Sequence, residues 1–134
     1  MLDHKHLIVN AKLYSNSPVV KSYYTEDVVF SMECWLRDLV NLVGMKVFME
    51  PIVKTCDEKG NEGITGVIGL ETSHASFHIW TNGDFRFDLY SCQDFDVNQV
   101  IDHIEKLGLI RGNYITVDRN SEYITYSDVK FGVI

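Results

Sequence analysis

The stretch Glu71-Thr72-Ser73-His74-Ala75-Ser76-Phe77-His78-Ile79-Trp80, followed by Asn82-Gly83 and then by Phe85 to Cys92, reads as a β-hairpin. Phe85, Phe87 and Leu89 alternate with Arg86, Asp88 and Tyr90, the period-two pattern of a half-buried strand. Asn-Gly is a favoured two-residue hairpin turn, and a turn centred on it sets Ser73 directly opposite Cys92. Opposed side chains share a face with Cβ atoms roughly 4.5–5.5 Å apart, whereas a slip of one residue would part the faces. The hairpin thus gathers a hydroxyl, two imidazoles, an indole and a thiol, and the remaining segments read as its scaffold.

Upstream, Leu7-Ile8-Val9 and the alternation to Tyr14 predict a first strand, ended by the turn-prone Ser15-Asn16-Ser17-Pro18. Thr25 can cap a helix whose apolar positions Val28, Met32, Trp35 or Leu36, Leu39 and Val43 recur every three or four residues, with Gly44 as its stop. Met45 to Val53 reads as a strand, and Pro51 places its end at a sheet edge or outside the sheet. Thr55 to Gly63 is polar and reads as an exposed loop. Ile64 to Trp80 is too long for one flat strand, so a break is expected near Glu71 to His74. Downstream, Val97, Val100, Ile101, Ile104 and Leu107 mark a second amphipathic helix between Asp96 and Gly108. Tyr114 to Val117 predicts another strand, and the mixed tail from Ser121 to Ile134 an edge strand. This order predicts an α+β fold: a two-layer α/β sandwich whose largely antiparallel sheet carries two main helices on one face.

At 134 residues and 46% apolar composition, positions 1–134 read as a single domain able to bury a sizeable core. No apolar run approaches the roughly 20 residues that cross a bilayer, and the first residues lack signal-peptide character, so a cytoplasmic protein without a membrane partner is expected. Three cysteines without Cys-x-x-Cys spacing predict reduced thiols. A net charge of −7 without clustered Lys and Arg argues against nucleic acid as a partner. His74 and His78 lie four positions apart, about 13 Å on a strand, too far for one zinc ion, and no metal is expected. Taken singly, each hairpin residue has an ordinary structural explanation: Cys92 as a small buried apolar group, Trp80 as core, either His as a polar strand residue. No Gly-x-Ser-x-Gly elbow surrounds Ser73.

Together, Thr65-Gly66-Val67, Thr72-Ser73-His74-Ala75-Ser76-Phe77-His78-Ile79-Trp80 and Asp88-Leu89-Tyr90-Ser91-Cys92 resemble the small prokaryotic-type S-adenosylmethionine decarboxylases, pyruvoyl enzymes made by self-cleavage. That family's pattern runs Ser-Gly-Val, then Glu-Ser-His-x-Ser-x-His-x-Trp, then Asp-Val-Phe-x-Cys. The likeness extends loosely over residues 5 to 119. It implies that Ser73 attacks the Thr72 carbonyl, that the chain breaks between Thr72 and Ser73, and that a pyruvoyl group remains at position 73. Its ketone would condense with the substrate amine and accept the electrons released with carbon dioxide. The resemblance assigns Ser73 as pyruvoyl precursor, His78 and Thr65 to processing, and Cys92 to reprotonation of the product carbon. Trp80 could stack on adenine, and Glu71 is the acid nearest the family's glutamate.

On an ideal strand His78 faces away from Ser73, and Thr65 lies roughly 26 Å from it if extended. The resemblance resolves this by a homodimer in which Ser73 and Cys92 come from one chain and Thr65 and His78 from the other. Thr72 stands where the family has Glu, and a β-branched residue there crowds the attack and restricts the backbone. Thr81-Asn82 replace the family's Pro-Glu, whose Glu engages ribose, and the aromatic before Ser-Gly-Val has no counterpart. The expected activity is decarboxylation of S-adenosylmethionine to supply the aminopropyl donor of spermidine synthesis. A pyruvoyl decarboxylase of ornithine or arginine, and an unprocessed ligand-binding or regulatory homologue, are the alternatives.

Overall fold

The computed structural model describes residues 2–124 and 128–134. Its strands are β1 (Lys5–Leu13), β2 (Val47–Cys56), β3 (Gly63–Leu70), β4 (Ser73–Trp80), β5 (Asp84–Ser91), β6 (Leu109–Asp118) and β7 (Val129–Val133). They form one sheet in the order β2-β3-β4-β5-β1-β6-β7, with every pairing antiparallel. The helices are α1 (Pro18–Lys21), α2 (Glu26–Leu42) and α3 (Val97–Glu105). The expected α+β sandwich is what forms, with α2 and α3 on one face and the other face open.

The caps read from sequence do close the helices. Thr25 Oγ1 accepts the Val28 N–H at 3.3 Å, and Gly44 follows α2 with φ 72°. Asp96 accepts the Asn98 N–H at 2.9 Å, and Gly108 follows α3 with φ 92°. Alternate residues Leu7, Val9, Ala11 and Leu13 of β1, Ala75, Phe77 and Ile79 of β4, and Phe85, Phe87 and Leu89 of β5 are buried under these helices. Trp35 of α2 meets Phe77 and Phe87 edge-on, each at 6.0 Å, and stacks on His103 of α3 at 4.6 Å. Such aromatic pairs contribute about 0.5–1.5 kcal/mol each beyond area burial.

Several boundaries differ from the expectation. β2 continues to Cys56 and β3 begins at Gly63, so the polar loop is shorter than Thr55 to Gly63. Pairing holds the ends of that segment in the sheet. Pro51 sits on the edge strand, where the β2–β3 register shifts between Met49 and Ile52, as a residue without an N–H requires. Between the turn at Ser15 to Pro18 and the helix capped by Thr25, where the sequence pattern marks no element, the chain forms the single-turn α1. β6 is longer than Tyr114 to Val117, and the tail supplies β7 at the far edge, although residues 125–127 of that tail lie outside the described residues.

The register of the central hairpin also needs correction. β4 pairs with β5 as His74 with Tyr90 and Phe77 with Phe87, one residue from the expected alignment, which extrapolates to Ser73 across from Ser91 rather than Cys92. The loop is the three residues Thr81-Asn82-Gly83, and only Gly83 takes a positive φ, 93°. A type I turn closed by one left-handed glycine fits this, whereas the type I′ turn that Asn-Gly favours needs positive φ at both positions. A Cβ on Gly83 would lie 2.5 Å from the Leu13 carbonyl oxygen, so no other residue fits without a shift.

Candidate active site

Ser73 and Cys92 meet in spite of that slip, because β5 ends at Ser91. The Ser91 hydroxyl donates to the Gln93 carbonyl at 2.6 Å and accepts the Gln93 N–H at 2.9 Å, a local side-chain turn that folds Cys92 back over the start of β4. The Cys92 N–H then donates to Ser73 Oγ at 3.0 Å, and Ser73 Oγ lies 3.6 Å from Cys92 Sγ. Both residues are buried.

The third member is Thr72. β3 and β4 are joined by Glu71-Thr72 alone, a two-residue loop between the paired Leu70 and Ser73. Thr72 takes φ 55° there. Loops of this kind select Gly or Asn for positive φ, and an L-residue with a branched Cβ in that region costs about 1–2 kcal/mol. The strain sits beside the Thr72–Ser73 peptide bond. Thr72 Oγ1 is 3.0 Å from Cys92 Sγ and 2.7 Å from the Glu71 carbonyl oxygen. The Thr72 hydroxyl, then that of Ser73, lowers the Cys92 thiol from its ordinary value of 9.0 against the opposing effect of burial. Glu71 is exposed at the turn.

Thr65 and His78 are elsewhere, on the open face. They are direct cross-strand partners, with Thr65 Oγ1 2.9 Å from His78 Nδ1. Trp80 lies beyond them, its ring 5.9 Å from that of His78 and its N–H donating to Asn61 at 2.7 Å. A cavity of ≈ 440 Å³ is lined by Cys56, Asn61, Thr65, His78 and Trp80. Five residues of strand separate Ser73 from His78, roughly 16 Å, with side chains on opposite faces. The chain therefore brings Thr72, Ser73 and Cys92 together, and separately Thr65, His78 and Trp80.

A polar cluster at the centre of the open face escaped the sequence reading. His6 Nε2 is 2.9 Å and His74 Nε2 3.6 Å from Asp88 Oδ2, and the Ser76 hydroxyl donates to Asp88 Oδ1. Arg119 reaches His6 Nδ1 at 3.2 Å and lies 4.8 Å over the Tyr90 ring. Arginine can only donate, so His6 accepts at Nδ1 and presents its Nε2 proton to Asp88. Burial pushes the Asp88 carboxyl up, but the hydrogen bonds from His6 and Ser76 outweigh it and hold the carboxyl below 3.8. The shared parity of His74, Ser76, Asp88 and Tyr90 in the hairpin was a signal for this cluster. His6 and Arg119 join it only through the β5-β1-β6 order.

A family model described as S-adenosylmethionine decarboxylase matches residues 24–120. The chain belongs to this family. None of the curated proteins matches it. The family match spans β2 to β6, and so includes both groups of residues and the Thr72–Ser73 bond. Among the described residues, no group of three or more His, Cys, Asp or Glu could hold a metal ion, and no helix is long and apolar enough to cross a membrane.

Proposed function

We propose that the protein is a self-processing, pyruvoyl-dependent decarboxylase of S-adenosylmethionine, supplying the aminopropyl donor for spermidine synthesis in the cytoplasm. The observation that carries this reading is the trio at the β3–β4 turn: a buried Ser73 hydroxyl held by the Cys92 N–H at 3.0 Å, next to a strained Thr72. Ser73 Oγ attacks the Thr72 carbonyl carbon, and the peptide C–N bond is exchanged for an ester C–O bond. Elimination breaks the Ser73 Cβ–O bond and releases Thr72 as a carboxylate. Addition of one water and loss of ammonia leave a ketone at position 73. The residues present suit that group, since Ser73 is its source and the Cys92 N–H and Sγ face the same position.

The pyruvoyl group supplies an electron sink for the bond broken as carbon dioxide leaves. Cys92, beside position 73, delivers a proton to the product carbon. Thr65 and His78 assist the acyl shift, and Trp80 provides a face on which the adenine can stack.

A homodimer unites the two groups of residues. One cross-strand row of the open face runs Ile52, Val67, Ser76, Asp88, Ile8, Ile115 and Phe131, apolar at both flanks and polar at its centre. Phe131 and Val133 are 75% and 89% exposed, which suits a surface covered by a second copy. A two-fold axis crossing β4 near Ser76 lays the Trp80 end of one β4 over the Ser73 end of the other, bringing the partner copy's Thr65–His78 pair to the end of the sheet where the β3–β4 turn exposes the Thr72–Ser73 bond.

Release of labelled carbon dioxide from carboxyl-labelled S-adenosylmethionine tests the activity, with Ser73→Ala as the inert control. Release from ornithine or arginine in its place would replace the substrate but keep the chemistry. Release from none of the three, by a chain that stays uncut, would favour a ligand-binding or regulatory homologue.

A further inference from the structure

We propose that Thr72 is a positioning residue for Cys92, its hydroxyl fixing the sulfur beside Ser73 in the uncut chain and withdrawing once the Thr72–Ser73 bond is broken. The first half stands on geometry alone; the second rests on the self-processing reading. Thr72 Oγ1 has one proton and two acceptors, the Glu71 carbonyl at 2.7 Å and the Cys92 sulfur at 3.0 Å. When the sulfur holds its own proton, the threonine hydroxyl turns to the carbonyl and accepts from the thiol. When the sulfur is a thiolate, the hydroxyl turns and donates to it. A hydroxyl can follow the sulfur through both states, which neither an apolar residue nor the carboxylate of the family's glutamate can do.

The placement depends on the chain being intact. Thr72 reaches the sulfur because its backbone is held at φ 55° between the paired Leu70 and Ser73. Cleavage after Thr72 removes one of those two anchors, and a β-branched residue then relaxes to negative φ, carrying Oγ1 away. Conversion of Ser73 removes the second hydroxyl near the sulfur. Cys92 therefore loses both hydroxyl donors that favour its thiolate, and the balance moves toward the thiol, the form that can give a proton to the product. Processing would thus ready the cysteine for its proton transfer without any other residue moving.

The test is the pH profile of Cys92 alkylation by iodoacetamide, followed by peptide mass in the full-length Ser73→Ala protein, which cannot be cut. Thr72→Val keeps the branched Cβ and the backbone strain but loses the hydroxyl. It should move the profile to higher pH and slow alkylation about tenfold at neutral pH, while Thr72→Ser restores the parent profile. Thr72→Ala should behave as Thr72→Val, so the test survives if the valine protein does not fold. Identical profiles for Thr72, Thr72→Val and Thr72→Ala, or a serine protein that tracks valine, would overturn the positioning role. In cut wild-type protein the Cys92 profile should lie above that of uncut Ser73→Ala, and a profile at or below it would overturn the switch. A wild-type chain that never cuts would remove the switch and the self-processing reading together, leaving the Thr72–Cys92 contact to stand or fall on its own profile.

Discussion

If each site is shared between two copies, substitutions in Ser73 and His78 should complement one another. Within one chain Ser73 and His78 are five strand residues apart, roughly 16 Å, and point to opposite faces of β4. No side-chain rotation closes that gap. Removing a processing base slows cleavage about 10²–10⁴-fold, so His78→Ala alone should remain essentially uncut, as should Ser73→Ala. Co-expressed in equal amounts with different tags, the two proteins pair at random and about half of the dimers are mixed. Each mixed dimer holds one complete site, made by Ser73 of the His78→Ala chain and His78 of the Ser73→Ala chain. About half of the His78→Ala chains should then be cut and none of the Ser73→Ala chains, giving about a quarter of the wild-type number of sites. Intact mass of each tagged chain reads the result. His78→Ala chains that stay uncut in the mixture, or that are cut normally by themselves, would refute the shared site.

Three further outcomes follow from individual contacts. His103 Nε2 bonds the Trp35 carbonyl at 2.8 Å, while its Nδ1 is the one buried side-chain polar atom without a partner among the described residues. Burial lowers its pKa from 6.5, against the opposing Trp35 bond, so the folded state binds fewer protons than the unfolded chain. Its contribution to stability is complete above 6.5 and is lost as pH falls from there toward the lowered folded value. Urea midpoints at neutral and mildly acidic pH should show this, and His103→Phe should flatten the dependence; an unchanged slope would exclude His103 as its source. Gly66→Ala would set a Cβ 2.4 Å from the Phe77 ring and should destabilise by about 1–3 kcal/mol, seen as a lower Tm. An unchanged Tm would mean that the ring does not cover Gly66. Trp80→Ala should raise KM about ten- to a hundredfold with a smaller loss for Trp80→Phe, and equal KM values in all three proteins would remove Trp80 from the adenine site.

Much of this architecture was legible in local chemistry. Thr25 with Gly44, and Asp96 with Gly108, marked both main helices because caps act within a few residues. The break between β3 and β4 was visible as excess length, but not the left-handed Thr72, since tertiary pairing overrides a local preference at that turn. Ser73 and Cys92 were matched through a two-residue Asn82-Gly83 turn, yet the loop has three residues. Their contact survives because of the Ser91 turn, which alternation cannot reveal. The separation of His78 from Ser73 followed from strand parity and that of Thr65 from distance along the chain, and the structure has both on the open face. The His6–Asp88–His74 cluster depended on strand order, which periodicity does not encode.

The intact mass of purified protein after prolonged incubation bears most directly on self-processing. Two fragments are expected, one ending at Thr72 and one starting at a blocked position 73. The second should be lighter, by the mass of ammonia, than a fragment released by simple hydrolysis before Ser73. A single uncut chain, or a second fragment that begins with an unmodified serine, would contradict it.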